Sequence, residues 1–325
     1  MSVEKSKDII VFQLPGEIFE RPNFDGDASI PVDQFESFVG VFVFQDKMIC
    51  QVNRNGKHCH QKHQHGWVFR RSDGVEVIVG CDCAKNHFGA DKRFRMQLNH
   101  ANEAYYRVIY SRKLEQYRHL GGHVASQVNM ELERLSSMWR QRERIAGYFN
   151  NYVISRIINM EKTARRQVVI KVGYIEKDED GKEKREWINQ DFGRLRHTAI
   201  FNDHLYAQFR KRLGKSLTSW HESTTAGSSP KVSDMKRWVR HFEDIANCVS
   251  ELDEFERNFD GFCSPENVSV LCAMTRNNDY RRKIAELQFL PENRSFTNKQ
   301  ITEFLNTVEQ GILERTHGRE YRLAG

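Results

Sequence analysis

No uninterrupted apolar run in this sequence approaches the roughly 18 residues that a bilayer-spanning helix requires, so no membrane association by that route is expected. The opening stretch, MSVEKSKDIIVFQLPGEIF, is charged and mixed and has no long apolar segment ending at a small-residue cleavage site, which points to a cytoplasmic rather than a secreted chain. Proline is scarce, at 6 of 325 residues, and 39% hydrophobic against 29% charged residues excludes the fibrous and disordered classes. Several chemical signatures are absent as well. There is no His-Glu-x-x-His, no His-x-Glu followed by Pro-Cys-x-x-Cys, no Gly-x-x-x-x-Gly-Lys-Ser/Thr, no dinucleotide fingerprint and no Gly-x-Ser-x-Gly. These absences remove the familiar zinc hydrolases, deaminases, nucleotide enzymes and serine hydrolases, and the chain reads more readily as a binding protein than as an enzyme. No internal repeat is present.

The chain is long enough for about two domains at the usual ~150 residues each, so no disulfides are needed to support a small core. Of 7 cysteines, Cys50, Cys59, Cys81 and Cys83 crowd together among histidines, whereas Cys248, Cys263 and Cys272 lie far away. Clustering with histidine points to metal rather than to disulfides, and the distant three read as small buried hydrophobes.

Hydrophobic periodicity divides the chain. The first ninety residues carry short β-branched and aromatic runs, IIVFQL at 9–14 and FVGVFVF at 38–44, followed by WVFRRSDGVEVIV at 67–79, in which Asp73-Gly74 supplies the positive φ angles of a tight hairpin. After Gly89 and the cap residue Asp91 the period becomes helical and continues to about residue 165, with a break expected at Gly121-Gly122. A charged, protruding hairpin is expected at 168–190 around Asp180-Gly181, and the Ser/Thr/Gly-rich stretch 216–234 reads as a linker or mobile loop. Helices resume beyond it, one opening at Ser264-Pro265 and the last at the Thr297/Gln300 capping box. The expected class is α+β, mainly helical. It comprises a β-rich module at 1–90, long basic helices with a hairpin at 91–215, the loop at 216–234 and a helical region at 235–325.

The most informative segment is CHQKHQHGWVFRRSDGVEVIVGCDCAKNH, from Cys59 to His87. Zinc favours thiolate and imidazole donors in a tetrahedron, and structural sites commonly take one pair from a turn and a second pair after an intervening hairpin. Cys59 and His63 would form the first pair. Cys83 and His87 would form the second, because an i, i+4 separation places both on one face of a helical turn. Cys81, His60 and His65 are alternative donors. The segment Val79-Gly80-Cys81-Asp82-Cys83-Ala84 resembles the end of the hairpin in the small treble-clef or zinc-ribbon-like modules of bacterial and phage proteins, in which a cysteine knuckle precedes V-G-x-x-C-A. The first knuckle departs from that pattern, with Cys59/His60/His63/His65 in place of Cys-x-x-Cys. The resemblance covers about thirty residues and implies metal binding more than any particular activity.

The net charge of +6 is unevenly placed, since residues 92–171 carry 16 basic against 6 acidic side chains. Such a concentration suits phosphate contacts, which are independent of base sequence and sensitive to salt. Arg93, Arg107, Arg112, Lys113, Arg140, Arg142, Arg144, Arg165 and Arg166 are the candidates. The sequence therefore points to a zinc-stabilised nucleic-acid-binding protein. A competing expectation is a non-catalytic protein-interaction adaptor of phage or mobile-element type, in which the same arginines form a solvated helical face and the partner is a protein.

Overall fold

A computed structural model describes residues 9–54, 56–119, 122–177, 183–290 and 295–323. The class is α+β and mainly helical, as the periodicity predicts. The chain divides into two compact units, Met1–Val124 with Ser219–Phe242, and Ala125–Thr218 with Glu243–Gly325.

The first unit is built on a mixed sheet. Its elements are β1 (Ile10–Phe12), α1 (Pro15–Phe19), β2 (Phe35–Ile49), the short pair β3 (Asn53–Arg54) and β4 (Lys57–His58), β5 (Lys62–Arg71), β6 (Glu76–Gly80), α2 (Cys81–Phe88) and α3 (Lys92–His119). The order is β1-β2-β5-β6, with β1 parallel to β2 and the other pairs antiparallel. Asp73-Gly74 closes the β5–β6 hairpin, with Gly74 at φ +90°, a conformation that glycine adopts without steric cost.

The near-continuous apolar runs of β2 and β5 follow from burial on both faces of the sheet. Trp67, Phe69, Val77 and Val79 face one cluster, which also holds Phe94, Ala101 and Tyr105 from α3, while the alternate residues Val68 and Ile78 join Phe12, Ile18, Phe42 and Met48 on the other side. Each fully buried large side chain contributes about 1.5–3 kcal/mol, so the sheet and α3 form one cooperative core. This explains why the unit extends past residue 90, where the period changes. Asp91 caps α3 as expected, its Oδ1 accepting from the Phe94 amide at 2.8 Å.

One charged group is sunk in this core. The Glu76 side chain is fully buried and accepts from Arg21 Nε at 2.5 Å and Arg70 Nη2 at 2.8 Å. Burial pushes its carboxyl up, but the hydrogen bonds and charges of the two guanidinium groups outweigh that and hold it below its ordinary range.

The remaining elements are α4 (His123–Ala146), α5 (Asn151–Thr163), β7 (Gln167–Lys177), β8 (Glu183–Arg194), α6 (Asp203–Thr225), α7 (Val232–Phe262), α8 (Pro265–Ala273), α9 (Asn278–Glu286), α10 (Asn298–Thr316) and β9 (Tyr321–Leu323). The expected hairpin is β7–β8, extended to three antiparallel strands in the order β8-β7-β9. Its Asp180-Gly181 tip lies outside the described residues, as does Gly121 of the expected helix break, which falls between α3 and α4. The helical stretch to residue 165 contains a second interruption, because Asn150 caps a new helix by accepting from the Val153 amide at 2.9 Å. Ser264 with Pro265 and Thr297 with Gln300 cap α8 and α10 as read from sequence.

The 216–234 stretch differs from its expected linker character. α6 runs through Thr225, which leaves only about 226–231 as loop. Ser216, Ser219 and Ser223 form a buried small-residue stripe, and the hydroxyls of Ser216, Ser223, Thr224 and Thr225 bond back to carbonyls of the preceding turn. Composition suggested a loop, whereas helical spacing of the serines buries them.

Candidate metal centre

Three thiols converge at one end of the sheet. The sulfur atoms of Cys50, Cys59 and Cys83 all lie within 4.8 Å of one another. Cys50 follows directly on β2, Cys59 follows β4, and Cys83 occupies the first turn of α2.

Backbone bonds fix each position. The Cys50 amide donates to the Gln61 carbonyl at 2.8 Å, and the Cys59 amide donates to the Val52 carbonyl at 2.9 Å. Gln51 anchors the turn between them. Its buried side chain donates to the carbonyls of Asp25 and Ala28 and accepts from the Ile78 amide at 2.7 Å, which holds the chain after β2 against β6.

The imidazole of His63, on β5, lies beside Cys83 and outside the set of three whose donor atoms are mutually within 4.8 Å. Its Nε2 is 3.4 Å from Cys83 Sγ, while Cys59 Sγ is 3.6 Å from the same sulfur. The donor–donor edges of a tetrahedral zinc site are about 3.5–3.8 Å, as follows from Zn–S and Zn–N bonds of about 2.3 and 2.0 Å. The two edges at Cys83 match those lengths, and three close thiols are a donor set that suits a metal ion. His63 reaches Cys83 because Gly80 has no side chain. A Cβ at Gly80 would stand 2.3–2.5 Å from three atoms of the imidazole ring.

The electrostatics are those of closely spaced thiols in a partly dry site. Burial pushes the Cys83 thiol up to about 12, and the neighbouring Cys50 adds to the effect. Cys50 is also raised by burial, against which the amides of Gly80 and Val52 act as donors to its sulfur. Burial lowers His63, which keeps the imidazole neutral and able to donate a lone pair.

Of the donors expected from sequence, Cys59 and Cys83 meet, and His63 sits against Cys83. Neither His63 nor His87, which lies one turn beyond Cys83 in α2, is among the three residues whose donor atoms lie mutually within 4.8 Å. Cys81 points into the α3 side of the core, where it hydrogen-bonds Tyr105 and burial pushes its thiol up to about 12. His60 is exposed, has a left-handed φ of +52° and stacks on His58, whereas His65 lies 6.0 Å from the Tyr105 ring. Cys50 was not anticipated, because it precedes the histidine-rich stretch and carries no knuckle spacing. The distant Cys248, Cys263 and Cys272 are buried singly, with thiols raised by burial to about 11, 12 and 12, as suits small core residues.

The basic residues separate into two groups. Arg107 donates to the Pro230 carbonyl at 2.9 Å and pairs with Glu103, Arg112 donates to the Val43 carbonyl, and Arg166 bonds Glu161 at 2.8 Å. Arg142 pairs with Asp203 at 2.8 Å and with Glu143, and its guanidinium lies 4.5 Å from the Trp139 ring centroid. Lys113 is also engaged. Arg93, Arg140, Arg144 and Arg165 are exposed, with no hydrogen bond or ion pair to a described residue.

No protein-family model matches the chain, and no significant match is found among curated proteins or solved structures.

Proposed function

We propose that the first unit is a structural zinc module, with Cys50, Cys59 and Cys83 as thiolate donors and His63 as the fourth. The observation that carries this reading is the convergence of three thiols within 4.8 Å, with an imidazole 3.4 Å from one of them. Sulfur-rich donor sets select zinc over the oxygen-seeking cations, and four protein donors leave no position for a substrate, which makes the role structural. When bound, zinc would replace the thiol protons and supply folding free energy to this end of the sheet. Holding the chain segments after β2 and β4 against β5 and α2 is the work these residues do.

The zinc-stabilised unit serves, in this proposal, as a scaffold for a macromolecular partner. Arg107, Arg112, Arg142 and Arg166 spend their donors on internal carbonyls and carboxylates, so a broad phosphate-tracking face would have to break those bonds. That pairing favours the protein-interaction adaptor over a nucleic-acid surface. The purified protein is expected to contain one zinc per chain and to show little affinity for duplex or single-stranded nucleic acid at ~150 mM salt. Elemental analysis tests the first statement. Absence of stoichiometric metal in protein purified under reducing conditions would overturn it, and tight, salt-steep binding to nucleic acid would overturn the second.

A further inference from the structure

The second unit contains a cavity of about 650 Å³ between one face of α4 and one face of α6. Its lining residues recur at helical spacing, Leu132, Leu135 and Trp139 on α4 and Tyr206, Ala207 and Arg210 on α6, so both walls are single stripes of their helices. The size lies within the roughly 300–1,000 Å³ typical of small-ligand sites.

Apolar walls carry an uncompensated positive charge here. Arg140 and Arg210 both line the cavity, and neither has a hydrogen bond or ion pair to a described residue. The one acidic lining residue, Asp203, is already paired with Arg142 at 2.8 Å. Arg142 also covers part of the Trp139 indole, and Tyr206 meets that indole edge-on at 4.9 Å, so the aromatic wall is held rigidly. Tyr206 is 5% exposed, and its hydroxyl has no hydrogen-bond partner. A buried orphan hydroxyl is costly to leave unpaired, and this one stands on a residue of the cavity wall. Burial raises this phenol, which keeps it a protonated donor at neutral pH.

We propose that this cavity binds a small amphipathic anion, a molecule with an apolar ring system or chain lying along Leu132, Leu135 and Trp139 and an acidic head group held by Arg140 and Arg210. A neutral apolar ligand would leave both guanidinium groups unused. A hydrophilic anion would leave the leucines in contact with water. Only a ligand carrying both characters satisfies the two walls, and the site is independent of the metal proposal because it shares no residue with the thiol cluster.

The test uses two dyes of nearly the same shape, anilinonaphthalene sulfonate and the neutral phenylnaphthylamine, titrated into the full-length protein as purified. The anionic dye is expected to bind once per chain and about tenfold or more tightly than the neutral one, the difference reporting charge-assisted bonds to the arginines. The variant Arg140→Gln/Arg210→Gln should lose that preference and still bind the neutral dye. Ala207→Trp, an exposed helical position at the cavity wall, should remove both dyes while leaving helix content unchanged. Displacement of the dye by dodecyl phosphate or by dodecanoate supports the site and identifies the preferred head group. Equal affinity for the two dyes, binding that survives Ala207→Trp, or displacement by neither acid would overturn the proposal.

Discussion

Replacing Cys50 by Ser tests the metal centre at the residue where spacing was least informative. Its sulfur lies within 4.8 Å of those of Cys59 and Cys83, and it accepts from the amides of Gly80 and Val52. A structural zinc site contributes roughly 10–16 kcal/mol of apparent binding free energy. Divided over four donors, the loss of one thiolate costs about 2.5–4 kcal/mol, or about two to three orders of magnitude in zinc affinity. Serine is a poor substitute because its hydroxyl stays protonated and is a hard donor. The metal-free protein should be far less affected, since the same two amides can bond the serine oxygen and the net change is about 1 kcal/mol. Competition with a chromophoric chelator gives the affinity, and thermal unfolding with and without added zinc separates lost ligation from lost packing. Wild-type zinc affinity in Cys50→Ser would refute the assignment. So would an equal loss in His87→Ala, which the proposed set of four donors leaves out, whereas Cys81→Ser should retain the metal.

Two further outcomes follow from the same geometry. Gly80→Ala places a Cβ 2.3 Å from the His63 ring, so zinc affinity should fall about tenfold or more, and the effect should vanish in a His63→Ala background. If Gly80→Ala and His63→Ala are additive in a double-mutant cycle of zinc affinities, His63 is not the donor that Gly80 accommodates. Glu76→Gln should destabilise the protein by about 2–3 kcal/mol, somewhat below the usual cost of breaking a buried ion pair because Arg21 and Arg70 remain about a quarter exposed. Because the folded carboxyl titrates below its unfolded value, its contribution is present above the ordinary carboxylate range and lost as pH falls through the lowered value. Denaturant titrations at a series of pH values should therefore show a shallower acid loss in Glu76→Gln than in wild type, and parallel curves would exclude Glu76 as a source of acid sensitivity.

How much of this was legible in the sequence varied with the range of the interaction. Local signals held up well. The Asp73-Gly74 turn, the Asp91 cap, Ser264-Pro265 and the Thr297/Gln300 capping box all depend on residues within four positions of one another, and all are present. Composition misled at 216–225, where Ser and Thr read as loop material but bond their hydroxyls back to the helix and bury a small-residue stripe. The basic helices show a similar limit. A count of +10 over 92–171 locates charge, but it cannot reveal that Arg142 meets Asp203 or that Arg112 reaches the Val43 carbonyl, since both partners lie outside that segment.

The thiol cluster shows why the residue types were readable and the grouping of the thiols was not. Helical spacing groups Cys83 with His87 and places both in α2, yet it says nothing of Cys50 and Cys59, which lie outside that helix. What brings the thiols together is the register of the sheet. Met48 pairs with His63, so the chain leaving β2 at Cys50 emerges beside the start of β5. Gln51 then pins that chain to Ile78, two residues before Gly80 and the start of α2. Register of this kind is set by which apolar residues face which core, the clusters around Phe42 and around Trp67, the second of which also holds Cys50 and Cys83. The apolar cores on the two sides of the sheet thus decide which thiols meet. A one-residue slip of β5 against β2 would turn His63 away from the site and Trp67 out of its core together, so the proposed metal centre and the hydrophobic core specify the same register.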